Sequence, residues 1–201
     1  MYFNLPPATQ VLILANVLVF VLEALTGSAL ATPFALWPIG PQFAPWQVVT
    51  YAFLHGSVPH LFFNMFALYM FGSDLERVWG ARRYATYFGV SVVSAALAQL
   101  AFAAFTGAYY PTIGASGGVF GLLLAYALYF PQRTVMLMFL PIPMPAWLFA
   151  LLYGAAELVF GVTGTAAGIA HFAHLGGMLG GYLLIRYWRS GGRPHWGAHG
   201  R

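Results

Sequence analysis

Six stretches of this chain, residues 9–25, 60–74, 84–105, 116–130, 145–162 and 168–188, are apolar over nearly the length that crosses a lipid bilayer. A helix needs about 20 mostly apolar residues to span the hydrocarbon. Charged residues make up only 6% of the 201 positions, against about 25% in soluble globular domains. Eight arginines, four acids and no lysine cannot coat the surface of a soluble domain of this size. The composition excludes a soluble globular enzyme, a disordered chain and a coiled coil. A pI near 9.5 rests on four net charges, and no basic cluster with interleaved aromatics is present, so a nucleic-acid partner is not expected. The lack of cysteine removes disulfides, thiolate metal sites and a cysteine nucleophile. The expected fold is all-α, a polytopic membrane protein of six transmembrane helices with the lipid bilayer as its solvent.

The few charges orient the spans. Arg77, Arg82 and Arg83 fall between the second and third stretches, Arg133 between the fourth and fifth, and Arg186, Arg189, Arg193 and Arg201 at or beyond the end of the sixth. With six alternating spans, all eight lie on one side, which the positive-inside rule makes the cytoplasm. Both termini are then cytoplasmic and the loop 26–59, rich in Pro, Trp and Phe without a basic residue, is extracytoplasmic. The start of the chain, residues 1–10, has no positive charge, and no small-x-small cleavage site follows the first stretch at once, so it reads as a retained helix rather than a signal peptide. The expected organisation is one transmembrane domain over residues 1–188 and a short Gly-rich cytoplasmic tail over 189–201.

Polar groups are expensive in hydrocarbon and mark functional candidates. Here they are His60, Asn64, Ser116, Glu157, His171 and His174. Ser116, His174 and His60 each stand 14 residues from the inner end of their span, about 21 Å at a rise of ~1.5 Å per residue. All three are thus expected at one depth near the outer face, with Asn64 one helical turn from His60 on the same side. Ser116 follows Gly114 and precedes Gly117 and Gly118, so it is placed at a helix start, where free backbone N–H groups and the positive dipole end can hold an oxyanion. The pairs Gly117/Gly121 and Gly177/Gly181 are spaced for close helix approach, which would bring His174 Nε2 to Ser116 Oγ as a base beside a nucleophile.

Other uses of the same residues stay open at this point. Gly-Ala-Ser-Gly can serve only to pack helices, and a histidine in a span can be a packing or proton-relay residue. His171 and His174, with His55 and His60, could form a four-histidine metal site or the path of a metal or proton transporter. No His-Glu-x-x-His motif occurs and no carboxylate is adjacent to these histidines along the chain, so no metal and no cofactor are expected. Glu157 is assigned no role.

Four segments together resemble the rhomboid family of intramembrane serine proteases in its bacterial six-helix form. They are PWQVVTYAFLHG at residues 45–56; His60-x-x-x-Asn64 followed by Gly72-x-x-x-Glu76-x-x-x-Gly80; Gly114-Ala115-Ser116-Gly117; and Ala173-His174-Leu175-Gly176-Gly177 with Gly180 and Gly181. The resemblance implies that Ser116 is the nucleophile and His174 the general base of a dyad without an acid. It implies that His60, Asn64 and the Ser116 N–H form the oxyanion hole, and that Phe120 packs on the catalytic histidine. It further implies single-span membrane-protein substrates cut near the extracytoplasmic face, and a bacterial inner membrane as the location. A catalytically inactive relative that only binds membrane proteins is the alternative within the family.

Overall fold

The structure, a computed structural model, describes residues 5–136, 142–164 and 170–191. Nine α-helices account for most of them: α1 Pro7–Thr26, α2 Ser28–Phe34, α3 Gln47–Thr50, α4 Val58–Ala67, α5 Ser73–Trp79, α6 Ala81–Thr106, α7 Ser116–Tyr129, α8 Ala146–Thr163 and α9 His171–Arg189. A two-residue antiparallel pair, Thr134–Val135 with Met144–Pro145, lies between α7 and α8. The chain is an all-α polytopic membrane bundle, as its composition requires.

The six expected spans are α1, α4 with α5, α6, α7, α8 and α9. Three of these helices, Pro7–Thr26, Ala81–Thr106 and Ala146–Thr163, are each long and apolar enough to cross a membrane. The other three spans depart from that simple pattern for local reasons. α7 has 14 residues. α9 dilutes its apolar residues with four glycines, two histidines and two arginines. The second span runs beyond residue 74 to Trp79 and contains a π-helical turn, Leu68–Gly72, that hydropathy did not signal.

The bundle is inside-out relative to a soluble protein. α1 exposes Val11, Leu14, Leu18, Val21, Leu22 and Leu25, and α8 exposes Leu151, Leu152, Leu158, Val159 and Val162, the faces that suit lipid. The centre is α9 between α6 and α7. Glycine makes this possible. A Cβ on Gly177 would run into the backbone of Gly117, and one on Gly121 would stand 3.1 Å from the Gly177 carbonyl, so α7 and α9 touch backbone to backbone. Gly181, expected to face α7, instead packs on Tyr87 and Ser91 of α6, and Gly176 and Gly180 also meet α6 at Ala98 and Ser94. The glycines of α9 therefore serve two neighbours.

The arginines collect at one end. Arg83 lies 4.2 Å from the Trp188 ring and Arg189 5.5 Å from Tyr129, while Asp74 pairs with Arg77 and Arg133. Arg193 and Arg201 lie outside the described residues. Glu76, buried at this end, accepts hydrogen bonds from the Ala8 N–H (2.8 Å), the Thr9 N–H (2.7 Å) and the Thr9 hydroxyl (2.8 Å). It caps α1 with a negative charge at the positive end of the helix dipole.

Candidate active site

The segment before Ser116 is sewn to the first loop. Leu36 and Thr112 exchange backbone hydrogen bonds of 3.0 and 2.9 Å, and the Gly114 N–H donates to the Tyr51 carbonyl at 2.9 Å. The buried Tyr51 hydroxyl donates in turn to the Val92 carbonyl of α6. Gly114 adopts φ +121°, which other residues rarely reach, and a Cβ there would lie 2.7 Å from His60 Nε2. Glycine thus permits both the turn and the approach of His60. The turn delivers Ser116 as the first residue of α7, where the first-turn N–H groups have no intrahelical acceptor.

Across the α7–α9 contact, His174 Nε2 stands 2.7 Å from Ser116 Oγ. Phe120, one turn along α7, lies flat on the His174 ring, with centroids 4.3 Å apart and planes 7° from parallel. Asn64 is buried and its amide donates to the His60 carbonyl at 2.9 Å. Ser116 and Asn64 share the wall of a cavity of about 530 Å³, otherwise mainly apolar, whose lining includes Phe63, Met70, Phe149 and Tyr153. The cavity lies between α4, α7 and α8. The structure therefore brings together Ser116, His174, His60, Asn64, Gly114 and Phe120. Gly117 lies behind the serine in the helix interface, against Ala95 and Gly177.

His55 is buried, its ring 5.0 Å from that of His60 and edge-on to it. Its backbone N–H donates to Glu23 at 3.0 Å.

One contact was not anticipated. Glu157, on α8, reaches both histidines of α9: its Oε2 lies 2.6 Å from His171 Nδ1 and 2.9 Å from His174 Nδ1. His174 Nδ1 makes no well-aligned hydrogen bond to that oxygen, so the nitrogen has close electrostatic contact only. The expectation that no carboxylate stands beside these histidines holds along the chain and fails in space. Glu157 was visible as a polar residue in a span; its facing α9 depends on how α8 rotates about its own axis, which apolar composition on all sides does not specify.

The three side chains offer donor atoms within 4.8 Å of one another, so a metal must be considered. Around a tetrahedral zinc with bonds of ~2.0 Å, donors stand about 3.3 Å apart. The observed 2.6 and 2.9 Å separations are shorter than that, and the first is that of a hydrogen bond between His171 and the carboxylate.

Comparison with known proteins agrees with the motifs. The Rhomboid domain family model matches residues 42–190. The chain is 33% identical over 149 residues to rhomboid protein 1, mitochondrial, of Saccharomyces cerevisiae, covering 70% of this chain and 41% of that protein. It is 32% identical over 142 residues to the presenilin-associated rhomboid-like protein, mitochondrial, of Bos taurus, covering 67% and 36%. It is 30% identical over 122 residues to the rhomboid protease GlpG of Klebsiella pneumoniae, covering 60% and 42%. The matched region spans about two fifths of the length of these relatives.

Proposed function

This chain belongs to the rhomboid family, and on that footing we propose that it is an intramembrane serine endopeptidase that cuts single-span membrane proteins near the extracytoplasmic face. The observation that carries the proposal is the 2.7 Å approach of His174 Nε2 to Ser116 Oγ at the start of a helix, beside a cavity that could admit a peptide. Nucleophile and base within hydrogen-bond reach are the minimum apparatus of acyl transfer.

In the proposed reaction, Ser116 Oγ attacks a peptide carbonyl while its proton passes to His174 Nε2. The Ser116 N–H, His60 and Asn64 stabilise the oxyanion, and His174 returns the proton to the leaving amine. Water then hydrolyses the acyl-enzyme by the same two residues in reverse order. The apolar cavity favours an unwound segment with small or helix-breaking residues, because a helix hides its carbonyls from attack. The arginine-rich end is assigned to the cytoplasm, which puts Ser116 at the opposite end. The bacterial inner membrane is the proposed location, although two of the relatives are mitochondrial. Residues 1–188 would form the protease domain and 189–201 its tail.

The test is cleavage of a single-span substrate by protein reconstituted in liposomes. Cleavage by the native chain and none by a folded Ser116→Ala variant is expected. Equal cleavage by both would refute the assignment, and a native chain that binds such substrates without cutting any of them would make it an inactive binder.

A further inference from the structure

We propose that Glu157 is a positioning residue for His174, keeping the proton on Nδ1 so that the Nε2 lone pair faces Ser116, and offsetting the positive charge that the ring acquires during attack. This rests on the peptidase reading above and adds a third member to what the family resemblance presents as a dyad.

The case begins with cost. A carboxylate in the membrane-embedded part of a bundle must be paired, because nothing in hydrocarbon replaces its hydration. Glu157 sits in α8 with its side chain 12% exposed, and a single oxygen, Oε2, meets both imidazoles of α9. His171 and His174 are three residues apart, so they project from one helix face towards the same partner. The contact with His171, at 2.6 Å, is the shorter and holds the carboxylate in place; the contact with His174, at 2.9 Å, is the one that touches the reaction.

The second step is tautomer chemistry. A neutral imidazole carries one proton, and the nitrogen with the better acceptor beside it keeps that proton. A carboxylate next to Nδ1 selects the Nδ1–H form and leaves Nε2 unprotonated, 2.7 Å from the serine hydroxyl. When Ser116 attacks, the hydroxyl proton moves to Nε2, Nδ1 keeps its own, and the imidazolium stands beside an anion that remains ionised. The Nε2 proton then leaves with the amine product, so protons balance and Glu157 never titrates. Phe120 covers one face of the ring, which limits tilting without choosing a tautomer. The lack of a well-aligned hydrogen bond at His174 Nδ1 predicts a smaller effect than the ~10⁴-fold loss that follows when a well-aligned triad acid is made an amide.

The experiment compares the full chain with Glu157→Gln and Glu157→Asp, in detergent, by kinetics on a transmembrane peptide, by ¹⁵N NMR of His174 and by thermal unfolding. The expected result for Glu157→Gln is a kcat lower by about 10²-fold with KM within about twofold, and a His174 signal that moves from Nδ1–H to Nε2–H. Glu157→Asp should recover part of the rate and the native tautomer. An active native enzyme whose rate and His174 tautomer are unchanged in a folded Glu157→Gln overturns this proposal alone. If Glu157→Gln does not fold, a native His174 signal showing Nε2–H overturns it equally. Bound stoichiometric metal in the native protein, lost with Glu157, would also overturn it by making the cluster a metal centre. A native chain that cleaves no transmembrane peptide refutes the peptidase reading, while the NMR comparison still decides whether Glu157 sets the tautomer.

Discussion

Phe120 lies parallel to His174 with ring centroids 4.3 Å apart, so the imidazole is held by a stacked aromatic on one side while its two nitrogens meet Ser116 and Glu157. A stacked pair of this kind is worth about 0.5–1.5 kcal/mol beyond its area burial. Replacing Phe120 by Ala should therefore lower kcat by about tenfold, through a less constrained ring, and Phe120→Leu should lose less. Steady-state kinetics on the reconstituted protein would show this as a kcat effect; a pure KM effect would place Phe120 in substrate binding instead.

Gly114 combines a left-handed backbone with contact to His60, and the two constraints compound. Gly114→Ala should cost about 1–3 kcal/mol in unfolding free energy. It should also lower activity per folded molecule, because either His60 or the turn before Ser116 has to move. Thermal unfolding in detergent and active-site titration separate the two effects.

Asn64 donates its amide to the His60 carbonyl in the substrate-free site, so it must turn to meet an oxyanion. Asn64→Ala and His60→Ala are each expected to reduce kcat by about 10² at most, the lower end for loss of one oxyanion donor, without abolishing turnover. If neither substitution alters kcat, the oxyanion rests on backbone N–H groups alone.

Glu76 is far from this chemistry and ties α1 to α5 through three hydrogen bonds. Hydrogen bonds to a charged group contribute about 1.5–3 kcal/mol each when one partner is removed, and not additively. Glu76→Ala should lower stability by about 3 kcal/mol, read as a drop in unfolding temperature, with kcat of the remaining folded protein unchanged.

Much of this was legible in the sequence because the membrane simplifies the problem. Lack of charge marked the spans and the arginines marked one end, but the equal 14-residue spacing does not hold for His60, because the second span runs on to Trp79. Ser116, His60 and His174 meet through helix packing instead. Helix interiors were less legible. The π turn at Leu68–Gly72 ends at a glycine whose Cβ would collide with Tyr84, a close approach that no periodicity records. Asn16 was not singled out, although it is fully buried in α1 with its amide bonded to the Leu12 carbonyl. The partition of α9 glycines between α6 and α7, and the turning of Glu157 towards α9, depend on helix rotation. On helices apolar all round, rotation is set by packing alone.

The central claim is that His174 activates Ser116 as a nucleophile. Treating the folded, detergent-solubilised protein with a fluorophosphonate and locating the adduct by mass spectrometry addresses it without knowledge of the natural substrate. The expected result is one adduct on Ser116, absent from Ser116→Ala and strongly slowed in His174→Ala. Labelling that ignores His174, or no adduct on Ser116 in protein with native unfolding behaviour, would contradict it.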